Sequence, residues 1–283
     1  MDRLVSTEWL AKELGAADLR VVDCTVQFEV ESGLRIESGR AAWETAHIPG
    51  SYHVDLLRAL SDPSSTIPMM CPPADQFAAA MESVGVGDES RVVLYDAQMN
   101  AWAARVWWML RSFGFDRAAV LDGGWRAWSN GEHPVAEGPE PLPPPARFTP
   151  RPSPGLFVDK DHVVGALDDQ RVAIVNALDR AAYRGDRVDY GRAGHIPRSL
   201  NVPFMDLVDR RTHRYLPEQE LREAFGNVLD PGPDRIVTYC GGGVAASSAA
   251  FALGLLGIED VAVYDGSMLE WAADPALPLV TGD

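Results

Sequence analysis

Cys240 stands between a strand-like run, Ile236 to Tyr239, and three consecutive glycines, Gly241, Gly242 and Gly243. The thiolate rather than the thiol attacks sulfur or carbonyl centres, so a working cysteine needs its negative charge held. Glycine lacks a Cβ and reaches positive φ at little steric cost, which lets a tight turn aim several main-chain N–H groups at one point. From about Ala245 the sequence turns helical, and a helix N-terminus adds partial positive charge in the same place. The N–H groups of Gly241, Gly242, Gly243, Val244 and Ala245 are therefore expected to form an anion cradle. Such a cradle suits a thiolate and equally a persulfide anion, Cys–S–S⁻. The alternative is a buried cysteine ending a strand, with the glycines making an ordinary turn.

The elements that must position this loop occur twice. Residues 5–23, VSTEWLAKELGAADLRVVD, and 158–176, VDKDHVVGALDDQRVAIVN, share one plan: a capping residue, a helical pattern and an apolar run. Ser6 and Asp159 are the capping residues, since their side-chain oxygens can take up free helix N–H groups. AHIPGSYHV (46–54) recurs as GHIPRSLNV (194–202), and RVVLYDAQ (91–98) as RIVTYCGG (235–242). AAVLDGGWRAW (118–128) recurs as VAVYDGSMLEW (261–271). Cues repeated in one order mark a duplicated domain. In the first copy Asp96 takes the place of Cys240, and AQMNAWAA replaces GGGVAASS. A carboxylate cannot carry a sulfane sulfur, so the pair reads as one working loop and one retired loop.

Residues 133–155 are dense in proline, which lacks an N–H and fixes φ, so they are expected to be an extended linker between domains 1–132 and 156–283. Within each copy, apolar runs alternate with helix-length patterns. Strands are expected at 19–22, 92–95 and 118–121, then at 172–175, 236–239 and 261–264. Runs without strict alternation suit strands buried on both faces. The fold class is therefore α/β, with a mostly parallel sheet flanked by helices on both faces in each domain. In such sheets sites form beyond the carboxyl ends of strands, where Cys240 falls.

Composition narrows the partners. An apolar share of 46% allows real cores, and a formal net charge of -16 repels nucleic acid and anionic membranes. No apolar run reaches transmembrane length and the first residues lack signal-peptide order, so the expected location is cytoplasmic. Cys24, Cys71 and Cys240 are too scattered for a disulfide framework or a zinc site, and the histidines at 53, 133, 162 and 213 show no metal spacing and read as surface residues.

These motifs together resemble a two-domain rhodanese-type sulfurtransferase. The resemblance rests on both HIP[GR]S segments, both DG…W segments, ARVWW (104–108) and the C-x-x-G-V-x-A loop at Cys240. It implies tandem rhodanese-like domains, with a non-catalytic N-terminal one, a catalytic C-terminal one and an active site facing the cleft between them. It also implies double displacement without metal or organic cofactor. Cys240 takes sulfur from a small donor, thiosulfate or 3-mercaptopyruvate, and passes it to cyanide, a thiol, or a thioredoxin-like or other protein acceptor.

Thiosulfate-using members resemble C-R-K-G-V, and mercaptopyruvate-using members C-G-S-G-V. CGGGV lacks both cations and stands closer to the second pattern, although Gly242 replaces its serine. Where the family has an arginine before an aromatic, this chain has Ala182 before Tyr183, leaving Arg184 or Arg187 as substitutes. Arg105 matches a family arginine of the N-terminal domain. By the same resemblance His47 orients substrate or moves a proton; its twin His195, in the same local motif, suggests instead that both brace a turn. Two rivals belong to other classes. The fold is shared with phosphatases whose loop resembles C-x5-R, but position 246 is alanine and no cation would hold a phosphoryl group. The stronger rival is a low-turnover sulfur-carrier or protein-binding module.

Overall fold

A computed structural model describes residues 1–29, 35–230 and 232–283. The chain divides into two compact units, Met1–Ser153 with Arg210–Arg214, and Pro154–Asp209 with Tyr215–Asp283. In the first unit the strands are β1 (Leu4–Val5), β2 (Leu19–Asp23), β3 (Val26–Glu29), β4 (Arg35–Ser38), β5 (Ser51–His53), β6 (Arg91–Tyr95) and β7 (Ala118–Leu121). Its helices are α1 (Thr7–Glu13), α2 (Arg40–Thr45), α3 (Ala74–Ser83), α4 (Ala101–Ser112) and α5 (Gly124–Asn130). The second unit carries β8 (Phe157–Val158), β9 (Val172–Asn176), β10 (Leu200–Asn201), β11 (Arg235–Tyr239) and β12 (Val261–Tyr264). Between them run α6 (Lys160–Ala166), α7 (Arg180–Arg184), α8 (Glu218–Ala224), α9 (Gly226–Leu229), α10 (Val244–Leu255) and α11 (Ser267–Trp271).

Each unit holds a five-stranded sheet, ordered β1-β7-β6-β2-β5 and β10-β9-β11-β12-β8, and every pairing in both is parallel. Parallel pairing forces crossover helices onto the faces, so central strands are apolar on both sides. Thus Val92 to Tyr95 and Ile236 to Tyr239 are all buried. Val93 and Tyr95 share a core with Leu10 of α1 and Trp128 of α5, while α4 packs on β6 and β7. Val237 and Tyr239 repeat this with Val163 of α6 and Trp271 of α11, while α10 packs on β11 and β12. Both expected caps form: Ser6 Oγ accepts from Trp9 N at 3.1 Å and Asp159 Oδ1 from His162 N at 2.9 Å. Each such cap stabilises its helix by about 1 kcal/mol.

Two features depart from the sequence reading. The first unit has an antiparallel hairpin, β3 with β4, that periodicity did not reveal. The proline-rich stretch is extended but does not hang free. It runs along the first unit through Ala136 N to His47 O (3.0 Å), Thr149 N to Asp88 Oδ1 (2.7 Å) and Ser153 N to Ser112 O (2.7 Å). Phe148 is buried against Phe77 and Phe115, which anchors the strap by apolar contact as well.

Candidate active site

The central strand of the second unit ends at Tyr239, and the HIPRS segment clamps that end. Tyr239 Oη meets Ser199 Oγ at 2.9 Å and accepts from Ile196 N at 3.0 Å. His195 stacks on Tyr183 at 3.6 Å between centroids and sets Nδ1 2.8 Å from the Tyr183 carbonyl. Burial holds the imidazole below its ordinary range, in keeping with a neutral, structural ring. The HIPGS segment does the same for Tyr95. Ser51 Oγ lies 3.0 Å from Tyr95 Oη, His47 stacks on Trp43, and His47 Nδ1 is 2.7 Å from the Trp43 carbonyl. His47 Nε2 is also engaged, 3.1 Å from Glu140 Oε1, so both ring nitrogens of this buried residue are committed. The bracing alternative describes both histidines.

Cys240 follows Tyr239 directly and is buried. Its N–H donates to Ser267 Oγ at 3.1 Å, and its carbonyl accepts from Met268 N at 3.0 Å. The Gly241 carbonyl accepts from Leu269 N at 2.9 Å. These bonds pin the start of the loop to the N-terminus of α11. Of the three glycines only Gly243 takes positive φ, 78°, and it caps α10 in the left-handed conformation. Among the described residues, the N–H groups of Gly241, Gly242, Gly243, Val244, Ala245 and Ala246 donate to no protein acceptor. Six successive donors at the start of a twelve-residue helix are thus left over.

The loop of the first unit shows what such a turn does when an anion is supplied. Asp96 Oδ1 accepts from Gln98 N at 2.6 Å and Asn100 N at 3.1 Å, and Oδ2 from Ala103 N at 2.8 Å. The carboxylate fills its own cradle. This loop runs from 96 to 100 before α4, one residue longer than 240–243 before α10, so Ala103 corresponds to Ala246. Burial, the leading influence, pushes the Asp96 carboxyl up to about 6 even though the three N–H bonds pull it down.

The arginines expected to serve a substrate carboxylate are all committed to protein partners. Arg105 is buried in α4, and its Nη2 donates to the Met69 carbonyl at 2.7 Å. Arg184 Nε pairs with Asp283 Oδ1 at 2.5 Å. Arg187 binds Asp179 Oδ2 at 2.5 Å and Asp189 Oδ2 at 2.7 Å, so two carboxylates already answer its charge. At the position before Tyr183 the buried Ala182 supplies no cation. His53, read as a surface residue, is instead buried with Nε2 3.1 Å from Thr25 O, while His213 is half-buried and accepts from Met99 N at 3.3 Å. No cluster of three His, Cys, Asp or Glu suited to a metal occurs among the described residues.

Ser267 is the residue the sequence did not single out. It sits at φ 48°, outside the usual range for a side-chain-bearing residue, while its twin Gly124 takes φ 51° without a Cβ. A serine there carries strain of about 1 kcal/mol that glycine avoids. Its hydroxyl accepts from Cys240 N and donates to the Tyr264 carbonyl at 2.7 Å. The contrast DGS against DGG was the available signal.

Two parallel α/β units, each with a strand-end loop leading into a helix N-terminus, one carrying cysteine and the other aspartate, define a tandem α/β scaffold of one repeated design. The chain belongs to the rhodanese-like domain family, which matches it at residues 6–131 and 159–274. It is 34% identical to the "Probable 3-mercaptopyruvate sulfurtransferase" of Pseudomonas aeruginosa, over 99% of both chains. It is 33% identical to thiosulfate/3-mercaptopyruvate sulfurtransferase 1, mitochondrial, of Arabidopsis thaliana, over 98% of this chain and 77% of that one. Among solved structures it is similar to SseA from Escherichia coli, described among 3-mercaptopyruvate sulfotransferases with the rhodanese fold. That match has a TM-score of 0.82 and 30% identity, and covers 94% of this chain and 99% of the other.

Proposed function

We propose that this protein is a sulfurtransferase that carries sulfane sulfur on Cys240 as a persulfide. The observation that carries the reading is the loop of six unclaimed N–H groups, whose twin in the same chain closes on two carboxylate oxygens. Main-chain donors at Gly241 to Ala245, extended by Ala246, would hold a sulfur anion as the twin holds its carboxylate. In the first half-reaction the Cys240 thiolate attacks the donor sulfur. From 3-mercaptopyruvate the C–S bond breaks, its electron pair forms the enolate of pyruvate, and a proton completes pyruvate. From thiosulfate the S–S bond breaks and sulfite leaves with the pair. Cyanide or a thiol then attacks the outer sulfur of Cys–S–S⁻, and the thiolate returns. The physiological acceptor is a thiol, free or on a thioredoxin-like protein.

The donor is 3-mercaptopyruvate rather than thiosulfate. Thiosulfate is a dianion, and the loop offers it no cationic side chain. The Pseudomonas aeruginosa relative is named for 3-mercaptopyruvate alone, which supports this choice, while the Arabidopsis thaliana relative is named for both donors. Arg187 is the substitute for the missing arginine, reaching the substrate carboxylate by exchanging one of its two aspartates. Three free cysteines suit a reducing, cytoplasmic setting, and no helix among the described residues is long and apolar enough to cross a membrane.

Thiocyanate production from each donor, with cyanide as acceptor, tests this. The expected kcat/KM with 3-mercaptopyruvate exceeds that with thiosulfate by about tenfold or more, a difference of about 1.4 kcal/mol in the barrier. A preference for thiosulfate reverses the donor assignment. A stable persulfide that neither donor turns over, passed on only to a protein, replaces the enzyme by a carrier.

Ser267→Gly tests how the nucleophile is held. Glycine suits the left-handed backbone, so thermal stability should stay level or rise by about 1 kcal/mol. Loss of the hydroxyl frees the Cys240 N–H, and kcat should fall roughly tenfold with KM little changed, as for a group that aligns the nucleophile. Unchanged kcat would reduce Ser267 to a turn residue.

A further inference from the structure

Tyr190 lies in the stretch between α7 and β10, half-buried and packed against the core of the second unit. Its phenol end rests on the backbone of Gly241. A Cβ at Gly241 would collide with Tyr190 Oη and stand 2.6 Å from Cζ and 2.7 Å from Cε1, so the ring would have to move aside. Glycine at 241 is thus what lets the tyrosine ring sit in this place, and backbone twist does not call for it, since Gly241 is absent from the positive-φ residues. The tyrosine takes the room that the loop's first side chain would need, one residue from the nucleophile.

The hydroxyl is also uncommitted. Other tyrosines of this unit are bonded: Tyr183 to the Ser199 carbonyl, Tyr239 to Ser199 Oγ, Tyr215 to Ser248 and Tyr264 to Glu270. Among the described residues no protein group bonds Tyr190 Oη. Burial, then the charge on Cys240, raises the phenol above its ordinary range, so it stays a protonated donor at neutral pH. The other charged groups acting on it are Asp189, Arg187 and Asp179, and Arg187 binds both aspartates.

The geometry points to Tyr190 as a further catalytic residue, whose hydroxyl donates a hydrogen bond to the sulfur anion carried by Cys240. It supplies from the side what the side-chain-free loop lacks, a neutral donor in place of a cation. A loop arginine at 241 would have to displace Tyr190 from this place, so the pair Gly241 and Tyr190 is also a specificity device favouring a donor that needs no loop cation. The sulfur-anion role rests on the persulfide reading above; Tyr190 Oη bonds none of the described residues while Cys240 is a thiol, and the bond forms as the sulfur ionises, so its bare-thiolate form can be read independently of sulfur transfer.

The test compares wild type with Tyr190→Phe, which keeps the ring on Gly241 and removes only the hydroxyl. Iodoacetamide alkylation of the Cys240 peptide is followed by mass spectrometry from pH 5 to 10, and sulfur transfer is measured in parallel. Losing a hydrogen bond to the anion should raise the pH midpoint of Cys240 alkylation by about one unit and lower kcat roughly tenfold. Coincident alkylation curves overturn the proposal even if the wild type transfers sulfur well. A shifted curve in a protein that transfers no sulfur leaves Tyr190 in place and removes the persulfide reading instead. Gly241→Ala and Gly241→Ala with Tyr190→Ala check the contact: the single variant should lose stability and the double recover most of that loss. No recovery would mean the ring does not rest where the proposal needs it.

Discussion

Cys240→Ser should form no thiocyanate above background from either donor, a fall of at least about a thousandfold, while unfolding where the wild type does. Serine matches the cysteine in shape, and the Cys240 N–H bond to Ser267 Oγ is a main-chain contact that survives the change. The loss is therefore chemical. A serine hydroxyl is hardly ionised at neutral pH and forms no persulfide. The other thiols cannot stand in. Cys24 is fully buried, and burial above all pushes its thiol well up, with Asp23 and Asp96 adding to the effect. Cys71 stands just before α3 but turns its Sγ to the Pro72 carbonyl, an acceptor that does nothing to hold a thiolate. Mass spectrometry after donor treatment should find one added sulfur atom, about 32 Da, at Cys240 alone. Persulfide on another cysteine, or turnover kept in the serine variant, would move the reaction away from this loop.

The sequence made the duplication and the cysteine loop legible because both are local in the chain. A mostly parallel sheet followed, since alternating strands and helices call for crossover connections, but the strand order came only with the fold. That the repeated HIPxS motif could brace a turn was legible, but what it braces was not, because its partners are distant: Ser199 meets Tyr239 and His195 meets Tyr183 only in the fold. The same limit hid Tyr190. It lies far upstream of Gly241 in a stretch without periodicity, and its ring matters only through a contact that glycine leaves no trace of. Prolines announced that 133–155 is extended, but not that Phe148 would anchor it. Asp96 was readable as a residue unable to carry sulfur; that its carboxylate occupies the cradle needed the positions of three N–H groups.

Asp96→Asn is expected to separate stability from turnover. The amide offers one oxygen where the carboxylate offers two, and its NH₂ must face one of the N–H groups of Gln98, Asn100 or Ala103. An orphaned buried donor of this kind costs on the order of 1–3 kcal/mol. Sulfur transfer per folded molecule should stay within about twofold, because the cradle that works is the other one. The pH dependence gives a second readout. An unfolded aspartate titrates near 3.9, while burial pushes Asp96 in the fold up to about 6. Between those values the folded chain keeps the proton and the unfolded chain has lost it. The stability this group contributes is fully present below pH ~4 and is lost as pH rises through ~6, by on the order of 3 kcal/mol. The amide of the variant cannot titrate, so the stability gap between wild type and Asp96→Asn should narrow from about pH 4 to about pH 7. Urea unfolding of the first unit at several pH values measures that gap. A gap constant across the range would mean that the three N–H bonds outweigh burial and keep the carboxylate ionised throughout. A collapse of turnover in well-folded Asp96→Asn would mean that the first loop still takes part in the chemistry.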